Sequence, residues 1–157
     1  MSDSSISVRR ATLADLDRIV EFNSALARES EQKVLDALTI TSGVRQALTD
    51  PARSLYFVAE IDGAVVGQTM VTFEWSDWRN GFVWWIQSVY VDSRFRRRGV
   101  FRALHDHVRR EARSRPDVCG LRLYVHHDNH RAMNTYAKLG MPRSEYLMCE
   151  EDWSGAS

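Results

Sequence analysis

The chain predicts an α/β fold in which a mixed, mostly antiparallel central sheet is flanked by helices. Three observations lead there. Leu55–Ile61, Val65–Glu74 and Gly81–Val91 are apolar, β-branched runs separated only by short polar connections. The first two flank Asp62-Gly63, a pair suited to the turn of a tight hairpin. After Gly99 the apolar spacing becomes helical, with Leu104 and Val108 on one stripe, and an alternating run, Leu121–Val125, follows. Three antiparallel strands, a helical crossover and a parallel strand are therefore expected.

The remaining elements fall in order around this frame. Ile6–Arg10 reads as a short first strand. Thr12-x-x-Asp15 is a capping box with Asp in place of Glu, and Leu16, Ile19, Val20 and Leu26 give the helix after it an apolar face as far as Arg28. A shorter helix spans Ser42 to Leu48 and stops before Asp50-Pro51, since a residue preceding proline avoids the helical region. Beyond Leu121–Val125 the pattern predicts a helix over Asn129–Leu139 and a last strand over Glu145–Glu150.

At 157 residues and 44% hydrophobic the chain suits a single domain, residues 1–157, with its core in about 6–150. Formal net charge is zero, which counts against a general affinity for polyanions. Basic charge is nonetheless uneven: nine of the 21 Lys and Arg lie between Arg94 and Arg115. Cys119 and Cys149 lack metal-site or redox spacing and read as buried, reduced thiols. Met-Ser-Asp-Ser-Ser has neither the basic nor the apolar region of a signal peptide, and no apolar run approaches the roughly 18 residues of a membrane span. A cytoplasmic protein with no membrane partner is expected.

The richest segment is Gln87 to Leu104: a strand ending at Val91, an arginine-loaded loop, and Gly99 opening a helix. Unpaired N–H groups at a helix start bind phosphate oxygens, and arginines on both sides add charge and forked donors. The segment reads as a pyrophosphate cradle. It is neither G-x-G-x-x-G nor a Walker A loop. Arg96-Arg97-Arg98-Gly99-Val100-Phe101 resembles the [QR]-x-x-G-x-[GA] acyl-CoA loop of the GNAT N-acetyltransferase superfamily, with Phe101 departing from the small last residue. Asn129-x-x-Ala132-x-x-x-Tyr136-x-x-Leu139-Gly140-Met141 resembles a second GNAT signature, one βα unit downstream.

This resemblance covers roughly residues 6 to 150. It implies a GNAT fold whose splayed strands, one ending at Val91 and one starting near Leu121, hold acyl-CoA between them. Val89, Tyr90, Val91, Arg96, Arg97, Arg98, Gly99, Val100, Phe101 and Arg102 would then contact the cofactor, joined by Asn129 on its arm and Tyr136 at its sulfur. The implied reaction moves an acetyl group from acetyl-CoA to a primary amine by direct attack. Backbone N–H groups near Val91 would polarise the carbonyl, and Tyr136 would act as general acid to the departing thiolate. For Phe101, the helical stripe with Leu104 and Val108 predicts a ring turned to the core.

The general base is harder to find. Relatives carry Glu or His on the strand before the loop, on the face shared with Val89 and Val91. Strict alternation puts Trp85 and Gln87 there instead, and neither is a base. Glu74 and Asp77, at the end of the preceding strand, are candidates, as is proton loss through ordered water. Glu29 and Glu31 fall where relatives build a wall of the acceptor site, so Glu29 is a candidate substrate contact with Trp85, Gln87 and Trp75. Four of five tryptophans lie between Trp75 and Trp85, either as cross-strand pairs or as an aromatic pocket for an ammonium or aromatic amine. His105-x-His107 and His126-His127-x-x-His130 place neighbouring rings on different faces, so no metal is expected. Two other readings stay open: an acyl-CoA-binding sensor with weak catalysis, and a nucleic-acid-binding module using Arg94–Arg115, which neutral charge and the lack of a reading motif disfavour. The expected partners are acetyl-CoA and an amine, with the protein a monomer or homodimer.

Overall fold

The computed structural model describes residues 5–155. In chain order its elements are β1 (Ser7–Arg10), α1 (Leu16–Glu31), α2 (Ala37–Thr49), β2 (Leu55–Ile61), β3 (Ala64–Ser76), β4 (Gly81–Val91), α3 (Val100–Arg113), β5 (Val118–Arg122) and α4 (His130–Lys138). Single 3₁₀ turns at Leu13–Asp15 and Ser93–Phe95 precede α1 and α3. The strands form one sheet in the order β1-β2-β3-β4-β5. Every pair is antiparallel except the last, β4 with β5, as the helical crossover between them requires. The described chain divides into two compact units, one ending at Leu123 and one starting at Tyr124. The first holds the sheet with α1, α2 and α3; the second holds α4 and the chain after it.

Local chemistry explains the boundaries. The Thr12 N–H donates to Asp15 Oδ2 at 2.8 Å, closing the capping box, and Asp15 also accepts two bonds of 2.9 Å from the Arg9 guanidinium. α1 ends where Gln32 takes left-handed backbone, φ 53°. α2 starts earlier than its apolar spacing suggests, because Asp36 caps it by accepting from the Thr39 N–H at 2.9 Å.

The sheet is covered on both faces. Leu16 and Ile19 of α1 and Val44 of α2 pack with Tyr56 and Val58 of β2 on one face. Val100 and Leu104 of α3 pack with Ala59, Ile61 and Val66 on the other. Gly67 lets α3 come close: a Cβ there would lie 2.9 Å from Val100 Cγ1 and 3.3 Å from Leu104 Cδ1.

Three expectations need correction. β5 runs Val118–Arg122 rather than Leu121–Val125, since its ladder with β4 starts at Phe82↔Val118 and ends at Trp85↔Arg122. Alternation of side chains cannot tell a paired strand from an extended segment that has left its neighbour. Glu145–Glu150 is irregular, with Tyr146, Leu147 and Met148 exposed. The sequence has strand propensity there, but a strand needs a ladder, and none is formed among the described residues. Cys119 and Cys149 are free, as expected, but exposed rather than buried. Cys119 sits on the edge strand and Cys149 in the irregular segment.

Gly67→Ala is expected to destabilise the protein by about 1–3 kcal/mol, because the added methyl must displace α3. Gly43→Ala should do the opposite and stabilise by about 0.5–1 kcal/mol, for it is helical with no atom near its Cβ position. Thermal unfolding followed by circular dichroism checks both signs.

Candidate active site

β4 organises the site. It pairs with β3 along its length, from Ser76↔Gly81 to Gly67↔Val91. With β5 it pairs only over Phe82–Trp85, so Ile86–Val91 has no β5 partner in the ladder. The Asp92 N–H donates to the Val66 carbonyl at 2.8 Å, toward β3. Donors alternate along a strand, so the Val91 N–H points to the other edge, where β5 has departed.

The β3–β4 register shifts between Gln68↔Tyr90 and Met70↔Gln87. Ser88 and Val89 together face Thr69, and Ser88 has φ 53°. This bulge flips the alternation. Tyr90 joins Trp85 and Gln87 on the α1 side, where its ring lies 5.2 Å from that of Phe22. Val91 packs on the α3 side with Val100 and Leu104. The expectation that Trp85 and Gln87 share a face with Val91 is thus overturned: strict alternation fails at the bulge.

Beside the fork between β4 and β5 lies a polar group on the α1 side. The Trp85 indole donates to Glu74 Oε2 at 3.1 Å, and Arg122 donates to Glu74 Oε1 at 2.6 Å. Next along the strands, Gln87 donates to Thr72 Oγ1 at 2.6 Å. The register puts Trp75, opposite Phe82, on the other face with Phe73 and Trp84. Trp75 and Trp85 are therefore not brought together, and the four tryptophans form no single pocket. Asp77 lies in the turn at the hairpin tip, where it accepts from the Trp78 N–H.

The arginine loop is built on Asp92. Its buried carboxylate accepts from the Arg94 N–H at 3.0 Å, from Arg94 Nη2 at 2.8 Å and from Arg18 Nη2 at 2.9 Å. These bonds, led by Arg94, hold the carboxyl well below the usual carboxylate range. Arg97 and Gly99 take left-handed backbone, φ 63° and 83°, and Gly99 caps α3. A helix leaves its first four N–H groups without intrahelical acceptors. Here those groups belong to the turn that Gly99 opens. Arg98 stacks over Phe95, and exposed Arg102 approaches Asp106.

Arg96 is held differently. Its Nε donates to the Val91 carbonyl at 3.0 Å and its Nη2 to Glu29 Oε2 at 2.8 Å, while the Tyr90 hydroxyl donates to Glu29 Oε1 at 2.9 Å. Arg96 thereby lowers the Glu29 pKa, and burial foremost, then Glu29, raises that of Tyr90. Sequence spacing hides this link, because Glu29 and Arg96 meet only through the docking of α1. Phe101 does not head the buried stripe. Val100 does, with Leu104 and Val108, each 1% exposed. Phe101 is half-buried and stacks on His105 one turn later, at 6.2 Å between centroids. One residue past Val100, Phe101 lies 100° further round the helix, at the border of the stripe rather than its centre.

In the second unit, Asn129 caps α4 by accepting from the Ala132 N–H at 3.1 Å. Tyr136 follows on the same helix, half-buried, and burial pushes its phenol up to about 12. His126 and His127 do not diverge as expected. They lie past the end of β5, and their rings stack at 4.4 Å. With Asp128 they present three exposed groups whose ligand atoms lie within 4.8 Å of one another.

Similarity to known proteins agrees with this geometry. The Acetyltransferase (GNAT) family matches residues 17–141, across both units. The chain therefore belongs to the GNAT acetyltransferase family. A crystal structure of a possible acetyltransferase from Clostridium difficile 630 is 43% identical, covers 94% of this chain and 97% of its own, and superposes with a TM-score of 0.89. A predicted acetyltransferase from Clostridium acetobutylicum, solved with acetyl-CoA, shares the fold at 18% identity (93% and 96% covered, TM-score 0.76). So does glucosamine-6-phosphate N-acetyltransferase from Arabidopsis thaliana, at 19% identity (94% and 98% covered, TM-score 0.71). No curated protein matches the chain. No helix among the described residues is long and apolar enough to cross a membrane.

Asp92→Asn should loosen the arginine loop and destabilise the protein by about 1–3 kcal/mol at neutral pH. A carboxyl whose folded pKa is depressed stabilises fully above its unfolded value, near about 3.9, and loses that contribution as pH falls. The gap between wild type and variant should therefore narrow below about pH 4. Urea unfolding at several pH values measures it.

Proposed function

We propose that the protein is an N-acetyltransferase that moves the acetyl group of acetyl-CoA to a primary amine of a small molecule or peptide by direct attack. The observation that carries the reading is the fork: β4 sheds β5 at Trp85 and runs on to Val91, and the left-handed Gly99 turn opens α3 just beyond. The N–H groups of residues 99–102 bind the CoA pyrophosphate, with Arg97, Arg98 and Arg102 adding charge. Val89, Tyr90, Val91 and Phe101 line the path of its arm, Val100 offers only its N–H, and Asn129 holds that arm further on. Arg96 contributes after exchanging Glu29 for phosphate.

The Val91 N–H polarises the thioester carbonyl as charge develops there. Trp85 and Gln87 flank the incoming amine, with Glu29 further out on the acceptor side; Trp75, on the opposite face of the sheet, takes no part. Glu74 binds the ammonium and first accepts its proton. Arg122 already holds one oxygen of the same carboxylate, and water carries the proton onward. Tyr136 protonates the departing thiolate, and its raised pKa means that it keeps the proton it must give. No step calls for a metal. The enzyme acts in the cytoplasm as a monomer or homodimer.

Thiol release from acetyl-CoA, measured against a panel of amines, tests the assignment. Amine-dependent release supports it; CoA binding without turnover would favour the acyl-CoA sensor instead. Gly99→Val places a β-branched residue where φ is 83° and should weaken CoA binding at least about ten-fold, read by calorimetry on the folded variant. Tyr136→Phe should lower kcat toward the low end of the about 10²–10⁴-fold typical of proton donation, with acetyl-CoA affinity unchanged. Wild-type kcat in a variant whose chemistry limits turnover would leave the tyrosine only a packing role.

A further inference from the structure

The bulge in β4 is strained. Serine is an L residue with a Cβ, and its φ of 53° lies in the left-handed region that such residues rarely adopt. Conformations of this kind persist only where the surroundings over-determine them. Around Ser88 the surroundings are a buried polar network reaching it from three other elements. Gln68 of β3 is fully buried, and its Nε2 donates to the Ser88 carbonyl at 3.1 Å and to Asn23 Oδ1 of α1 at 3.2 Å. Asn23 Nδ2 donates to the Tyr56 hydroxyl of β2 at 3.0 Å. Asn23 and Tyr56 are buried as well.

The network is costly in one respect. Gln68 Oε1 is buried with no hydrogen-bond partner among the described residues. A leucine or methionine would fill the same volume with no polar atom of its own to satisfy, so packing alone does not explain a glutamine. What the amide does, and an apolar residue could not, is hold the Ser88 carbonyl. That carbonyl belongs to the turn that reverses the facing of Tyr90 and Val91. It precedes the Val91 N–H, which points into the open edge.

We propose that Gln68, backed by Asn23 and Tyr56, is a positioning residue for acyl transfer. It locks the left-handed turn at Ser88 and thereby aims the β4 N–H groups beyond the bulge at the thioester carbonyl. The proposal rests on the acetyl-transfer reading above. Gln68 touches neither substrate; it acts through the backbone of Ser88. Donors that stabilise developing charge work only when aimed in advance, so a small rotation of this turn lowers turnover while leaving pyrophosphate binding intact.

The test uses Gln68→Met, which keeps the volume and removes the amide, and Tyr56→Phe, which removes one hydroxyl and keeps the ring. Thiol release from acetyl-CoA is followed with the panel amine that the wild type acetylates fastest. CoA affinity is read by calorimetry and stability by thermal unfolding. The expected result for Gln68→Met is a kcat at least ten-fold lower with CoA affinity within two-fold of wild type, in a variant that melts lower, because Asn23 Oδ1 loses its donor, but stays folded at the assay temperature. Tyr56→Phe should show the same split in smaller measure. Adding Ser88→Gly to Gln68→Met should restore part of kcat, since glycine adopts a φ of this sign without strain. Wild-type kcat in folded Gln68→Met overturns the proposal, as does kcat falling only in step with lost stability. Should Gln68→Met fail to fold, wild-type kcat in Tyr56→Phe overturns it. A wild-type enzyme that releases no thiol with any amine overturns the acetyl-transfer reading itself, and the proposal with it.

Discussion

Backbone hydrogen bonding along β4 is the constraint on which the rest of the molecule depends. The strand is paired with β3 over its full length, and that ladder holds it rigid. Its other edge is paired with β5 over four residues and then left open. An open edge inside a sheet protein is a row of oriented donors and acceptors seeking partners. Here the row ends where a helix begins, so strand N–H groups and helix N–H groups come into succession across one arginine-rich loop. A thioester carbonyl and a pyrophosphate are the two acceptor groups that such a succession suits.

Two features keep this arrangement in place from either side. Gly67 on β3 lets α3 approach until Val100 and Leu104 seal the lower face. Above, α1 is tied to β3, β4 and the loop by polar contacts: Asn23 to Gln68, Arg18 to Asp92 and Glu29 to both Tyr90 and Arg96. The deeply buried members of this set have few ways to move, because breaking one leaves a desolvated group unpaired. The half-exposed pair of Glu29 and Arg96 is weaker and exchangeable. That gradient suits a site whose strand must stay fixed while its loop admits an anion.

The Glu74 cluster has a different character. Glu74 is held by an indole and a guanidinium, so its two oxygens already accept hydrogen bonds. The two donors, one from β4 and one from β5, fix where the carboxylate points. Thr72 and Gln87 continue this polar face along the strands.

Much of this was legible in the linear chain, and for identifiable reasons. Period-two runs, Asp62-Gly63 and the Thr12–Asp15 box are local signals, and the strands and helices they mark stand where they were read. The Gly99 turn was legible too, since a loop that must take positive φ and approach an anion calls for glycine. The ends of pairing were not. Leu121–Val125 alternates beyond the point where β5 leaves the ladder, and Glu145–Glu150 has strand propensity without a ladder, because pairing depends on a neighbour and not on the segment itself. The bulge at Ser88 was hidden for a related reason: serine carries no mark of left-handed backbone, and only contacts from α1, β2 and β3 impose it. Its effect reached the site directly, moving Tyr90 to the face of Trp85 and Val91 away from it. Trp75 and Trp85, adjacent in the aromatic count, fell on opposite faces once register was set. The sequence by itself determined most of the elements and the glycine turn that opens α3. Tertiary structure decided which side chains face each other across the fork, because facing is set by register and long-range hydrogen bonds that no local pattern encodes.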